Sequence, residues 1–199
     1  MNRTPEESVT SFKDTVDEAI TNGLEISSSI SMPFGSPWEH DIPIEDIKNI
    51  VQAYIDVGVT EISLSDTSDM AVPKQVYEMY IELQEAFPQV KWILHFHNTR
   101  GLGIANIIAG MQAGITWFDT SFAGVGGCSF VPGAAGNVTT EDVLHMLDEM
   151  HIQTGINIDK TIVISKKVTE ILGHSTDSYI LKAGKSKDLV LDLPKGQKK

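Results

Sequence analysis

Four β–α repeats in strict alternation, with turn residues between them, predict an α/β chain built on a parallel sheet with helical crossovers. Two architectures satisfy that alternation. One is a small doubly wound sheet, whose ligand-binding residues gather at one switch point. The other is part of a (β/α)₈ TIM barrel, whose functional residues sit at the carboxyl ends of many strands. Ser31, Asp66, His95, His97 and Asp119 all fall at or near predicted strand ends. Polar groups on every strand favour the barrel.

The elements follow in order. Thr4-Pro5-Glu6-Glu7 reads as an N-cap, a first-turn proline and a capping-box glutamate. Val9, Phe12, Val16, Ala19 and Ile20 then recur at helical spacing, and Gly23 ends the helix. Residues 24–32 form the first strand. A second helix covers 43–57, with Ile44, Ile47, Ile50, Val51 and Ile55 as its apolar face, and the second strand is 59–65. A helix over 73–87, stopped by Pro88, leads to the strand 90–97. The helix 103–113 and the strand 115–122 complete the fourth repeat. After a glycine-rich loop, Thr139 or Thr140 caps a helix reaching about residue 150, and another spans roughly 159–172. No long linker divides these repeats. The expectation is one domain over 1–199, with a core over 1–172 and a frayed tail over 173–199.

Bulk properties narrow the function. The formal net charge is −12. An acidic surface repels nucleic-acid phosphates and anionic membranes, so neither is expected as a partner. No leader-like apolar segment stands at the start, and the most apolar stretch, 104–118, is too short and polar to span a bilayer. The single cysteine, Cys128, excludes an intrachain disulfide and fits a reducing cytoplasm.

Three features could carry chemistry. His95-Phe96-His97 places two imidazoles on one side of a strand end, because alternate strand residues share a face. Imidazole binds several divalent metals, and oxygen donors nearby shift the choice toward harder ions. A structural role for the pair is about equally open. The second feature is the loop 124–137, which can fold tightly and close over a substrate. A flexible connector is its plain alternative. Its Cys128 is a candidate for proton transfer or nucleophilic work, where most free cysteines are small buried hydrophobes. The loop lacks the spacing of a phosphate cradle. The third feature is Ser65-Asp66-Thr67 at the end of a strand, where Asp66 either points into a barrel mouth or serves a turn.

Together these stretches resemble the hydroxymethylglutaryl-CoA lyase family. The similarity rests on Ser31-Met32-Pro33-Phe34-Gly35-Ser36-Pro37, residues 61–67, His95-Phe96-His97-Asn98-Thr99, the loop 123–137, Thr140-Glu141-Asp142-Val143 and residues 151–157. It covers about residues 5–160. Related synthases of the same barrel superfamily carry a charged loop where this chain has Gly126-Gly127-Cys128, so the loop favours lyase over synthase.

The resemblance implies roles. His95, His97 and Asn137 would ligate Mg²⁺ or Mn²⁺. Cys128 would exchange a proton with the substrate, with His95 also catalytic, and Asp66 and Thr67 would line the substrate pocket. The substrate would be an acyl-CoA, cleaved to acetyl-CoA and a ketone such as acetoacetate. Three departures stand out. The family's early Arg-Asp segment, which supplies a further metal ligand, has no counterpart here, so the chain corresponds to about four C-terminal β/α units plus C-terminal helices. Asn98 follows the second histidine where many members have Asp, which points toward a related substrate such as citramalyl-CoA. No second cysteine follows. Four strands leave two sheet edges and an open face with apolar candidates such as Ile62, Leu64 and Ile93. A homo-oligomer, a partner supplying the other strands, or an inactive half barrel are the resulting expectations.

Overall fold

A computed structural model describes residues 4–127, 131, 133 and 136–189. The chain forms two compact units: residues 1–120 with 126–137, and residues 121–125 with 138–199.

The first unit carries the repeats. Helices α1 (Pro5–Thr10) and α2 (Lys13–Thr21) precede strand β1 (Ser27–Ser31). Then come α3 (Ile44–Asp56), β2 (Glu61–Asp66), α4 (Pro73–Ala86), β3 (Lys91–Phe96), α5 (Gly103–Gln112) and β4 (Phe118–Asp119). The strands form one parallel sheet in the order β1-β2-β3-β4. The expected capping box is present: the Glu7 N–H donates to Thr4 Oγ1 (3.2 Å), and the Thr4 N–H donates to Glu7 Oε2 (3.0 Å). The single first helix expected from periodicity is two helices, broken at Ser11 and Phe12. Ser11 turns its hydroxyl onto the Ser8 carbonyl (2.7 Å), a local bond that competes with helix propagation. The last strand is two residues long, where the apolar run 115–122 suggested eight.

Register explains which residues are covered. The series Ile30, Leu64, Leu94 and Phe118 lies in line across the four strands. Leu64 and Leu94 are fully buried, and burial of each such side chain stabilises the fold by about 1.5–3 kcal/mol. Helix α5 reaches this layer closely because of Gly110: a Cβ there would come within 2.0 Å of Leu94 Cδ1. Tyr80 of α4 packs edge-on against Trp92 and donates its hydroxyl to the Ile93 carbonyl (3.2 Å).

The alternate residues form the other side of the sheet. They are Ser27, Ser29 and Ser31 on β1, Glu61, Ser63 and Ser65 on β2, Lys91, Ile93 and His95 on β3, and Asp119 on β4. Lys91 pairs with Glu61 (2.6 Å) and sits 3.6 Å from the Trp117 ring centroid. Ser29 and Ser65 share a hydroxyl hydrogen bond (2.7 Å). This side is therefore polar. Of the apolar candidates for an open face, Ile62 and Leu64 belong to the helix-covered side, while Ile93 lies on the polar side and is itself buried.

The second unit holds a 3₁₀ turn (Phe122–Gly124), α6 (Thr140–Glu149), α7 (Ile158–Leu172), α8 (Tyr179–Ala183) and a second 3₁₀ turn (Ser186–Leu189). Thr139 caps α6 as expected, accepting from the Asp142 N–H (3.3 Å). Asn157 rather than a later residue caps α7, and Gly173 ends it at φ 71°. After α7 the chain forms the short helix α8, packed against the second unit's α6. Asp142 of α6 explains this, because its carboxylate accepts from Ser178 Oγ and from the N–H groups of Tyr179 and Ile180, capping α8.

Candidate metal centre

The carboxyl ends of β2 and β3 and the two ends of the glycine loop meet in the first unit. His95 and His97 project from the same side of the β3 end, with ring centroids 5.4 Å apart. His97 is buried and His95 half-buried. Burial, with His95 beside it as the smaller cause, lowers the His97 pKa to about 4. His97 is thus neutral at neutral pH, the form in which imidazole binds metals. Its Nδ1 is buried with no hydrogen-bond partner among the described residues.

Asn137 arrives from the far end of the glycine loop. Its backbone forms an antiparallel bridge with His97, and the Asn98 N–H donates to the Gly136 carbonyl (3.0 Å). Gly126, at the near end of the loop, faces the Asn137 side chain so closely that a Cβ would lie 2.6 Å from Nδ2. The loop's two ends therefore converge beside His97. Cys128 lies outside the described residues.

The donor set fits a divalent cation that accepts mixed nitrogen and oxygen ligands. Two imidazoles share one side, one of them has a buried nitrogen without a partner among the described residues, and an amide-bearing residue is fixed alongside. Among the described residues no three His, Cys, Asp or Glu side chains gather in a way that could hold a metal.

Asp66 is placed differently from the histidines. It pairs in register with Phe96, on the helix-covered side, and is fully buried. Its Oδ1 accepts from the Met70 N–H (2.9 Å) and its Oδ2 from the Ala71 N–H (3.1 Å). Desolvation raises its pKa to about 6, against the lowering effect of those two amides. Thr67, next to it, is half-buried. Asp69 and the side chain of Arg100, which no sequence motif marks, fasten the loops after β2 and β3 to each other. Glu141, a member of the stretch 140–143, is fully buried in the second unit. Its Oε2 accepts from the Ala123 N–H (3.2 Å) and Ser165 Oγ (2.8 Å). Among the described residues no helix is long and apolar enough to cross a membrane.

Comparison with known proteins identifies the family. The HMGL-like family model matches residues 1–168. The hydroxymethylglutaryl-CoA lyase YngG of Bacillus subtilis (strain 168) is 37% identical over 186 residues, 94% of this chain and 62% of that protein. The (R)-citramalyl-CoA lyase of Chloroflexus aurantiacus is 36% identical over 182 residues, 92% of this chain and 57% of that protein. An HMG-CoA lyase from Acinetobacter baumannii, solved with coenzyme A and 3-methylmalate, superposes with a TM-score of 0.88 at 35% identity, covering 98% of this chain and 63% of that one. The chain thus spans about 60% of the length of these relatives. On the family match and these identities, the chain belongs to the HMGL-like family, with the α/β fold and parallel strands of its lyase barrels.

Proposed function

We propose that the chain contributes the histidine pair and the glycine loop of a divalent-metal-dependent carbon–carbon lyase site. The reaction is retro-Claisen cleavage of a 3-hydroxyacyl-CoA, such as hydroxymethylglutaryl-CoA, to acetyl-CoA and a ketone such as acetoacetate. The observation that carries this reading is the juxtaposition of His95, His97 and Asn137 at the end of β3.

In this reading His95, His97 and Asn137 hold Mg²⁺ or Mn²⁺. A bound divalent cation supplies charge stabilisation where negative charge develops on the substrate's oxygens. Cleavage needs the hydroxyl proton removed, the C–C bonding pair shifted into the thioester enolate, and a proton returned to the enolate carbon. Cys128 and His95 are the proton-handling residues, with Cys128 on the loop that excludes water. Thr67 borders the acyl-CoA. Asp66 serves the same pocket by holding the loop after β2 through Met70 and Ala71.

A second substrate, citramalyl-CoA, is favoured by Asn98 and by the identity to a citramalyl-CoA lyase. The Asn98 side chain is occupied in accepting from the Gly103 N–H (3.1 Å), so it acts on loop shape before it acts on substrate.

The partner in this reading is another set of strands, from a second copy or another polypeptide. Its support is the pair of sheet edges at β1 and β4, with Ser27, Ser29 and Ser31 exposed. A cytoplasmic location accompanies it, supported by the single cysteine.

The test is product release from hydroxymethylglutaryl-CoA and from citramalyl-CoA, with and without strands that complete the barrel. Little activity is expected from the chain alone, and Mn²⁺-dependent cleavage from the completed barrel. A completed barrel that binds both thioesters and cleaves neither would sink the assignment.

A further inference from the structure

The loops that follow β2 and β3 are fastened together by a residue pair to which the proposed chemistry gives no part. Asp69 is 1% exposed and adopts a left-handed backbone at φ 52°. Its Oδ2 accepts from the Arg100 backbone N–H. The Arg100 guanidinium Nη1 donates in return to the carbonyls of Ser68 (2.8 Å) and Asp69 (3.0 Å). Asp69 Oδ1 is buried with no hydrogen-bond partner among the described residues. A left-handed, buried and incompletely satisfied aspartate is costly to maintain, since strained backbone and unpaired buried polar atoms both destabilise.

What the pair holds can be followed bond by bond. Arg100 belongs to a turn closed by the Gly101 N–H donating to the Asn98 carbonyl (3.2 Å). Asn98 gives its own N–H to the Gly136 carbonyl (3.0 Å) and accepts with its side chain from the Gly103 N–H (3.1 Å). Gly136 precedes Asn137, which bridges His97. A path of hydrogen bonds and main-chain links therefore runs from Asp69 through the turn 98–101 to the residues beside the histidine pair. Asp69 grips the main chain of the turn, not a flexible side chain, so a shift of the turn is passed on to Asn98.

We infer that Asp69 is a positioning residue of the cation site, setting through Arg100 and Asn98 where Asn137 stands beside His97. The inference rests on the His95, His97 and Asn137 reading above. A simple loop staple would add stability and leave the place of Asn137 unchanged.

Two variants separate these possibilities. Asp69→Gly accepts the left-handed backbone and removes the carboxylate, and Asp69→Asn keeps an acceptor oxygen. Two measurements are made on the whole chain: Mn²⁺ affinity by titration calorimetry, and hydrogen exchange of the Asn98 amide without metal. Asp69→Gly is expected to weaken Mn²⁺ binding by about tenfold or more, the scale of losses when groups supporting metal ligands are removed. It should also speed Asn98 exchange, while Asp69→Asn stays close to the parent in both. Parental Mn²⁺ affinity in Asp69→Gly, or unchanged Asn98 exchange, overturns the inference alone. A parent chain that does not bind Mn²⁺ overturns the cation reading and the inference with it.

Discussion

The backbone of His97 pairs antiparallel with that of Asn137, although the strand leading to His97 pairs in parallel with both β2 and β4. This bridge brings the end of a glycine-rich loop against a strand end that carries two imidazoles. It turns residues far apart in the chain into one possible donor set.

Gly126 makes that approach possible. Its φ of 113° disfavours any side chain, and a Cβ there would stand 2.6 Å from Asn137 Nδ2. Gly126→Ala is expected to push the Asn137 amide aside and weaken Mn²⁺ binding by about tenfold, comparable to the loss of a supporting group. The far-UV spectrum should stay unchanged, because the displaced group lies in a loop. Calorimetric titration checks this, and parental affinity would remove Asn137 from the donor set.

Asp66 titrates near pH 6, raised above 3.8 by desolvation. The folded state therefore holds its proton more tightly than the unfolded chain. The protonated acid's contribution is fully present below about pH 3.8 and is lost as pH rises through about 6. The amount is on the order of 3 kcal/mol, from roughly two pKa units at about 1.4 kcal/mol each. Asp66→Asn should flatten this part of the stability profile between pH 4 and 7. Urea unfolding at several pH values, with the carboxyl resonance followed by NMR, measures it. An Asp66 midpoint near 4 would contradict the burial argument.

Glu141 joins the 3₁₀ turn, α6 and α7 through Ala123 and Ser165. Glu141→Ala leaves a cavity, an unpaired buried N–H and an unpaired hydroxyl. The expected loss is about 2–4 kcal/mol of unfolding free energy. Glu141→Gln, which keeps shape and an acceptor, should lose less. Denaturant midpoints decide, and an alanine variant within about 0.5 kcal/mol of the parent, the range of ordinary surface changes, would refute the clamp.

For Cys128 the expectation is kinetic. In the completed barrel Cys128→Ala should reduce turnover by about 10²–10⁴-fold, the usual scale for a lost general acid, with a smaller change in KM. The chain's single thiol should also react readily with alkylating reagents. Full turnover in the alanine variant excludes the thiol from proton transfer.

Local physics alone determined much of this protein. The capping box at Thr4 and Glu7 and the cap at Thr139 depend on neighbours within a turn, so composition and spacing reveal them. The two-residue period of β3 likewise puts His95 and His97 on one side without any knowledge of the rest. The tertiary structure decided what depends on long-range pairing. It ended β4 after two residues, and it fixed the start of α8 by the hold of Asp142 on Tyr179 and Ile180. It also turned Asp66 onto Met70 and Ala71, while its neighbours in the strand alternate sides. The register with Phe96 assigns Asp66 to the covered side, and a buried carboxylate takes whatever N–H donors lie within reach. The Asp69–Arg100 link escaped the sequence because it joins two loops whose proximity exists only once β2 and β3 lie side by side.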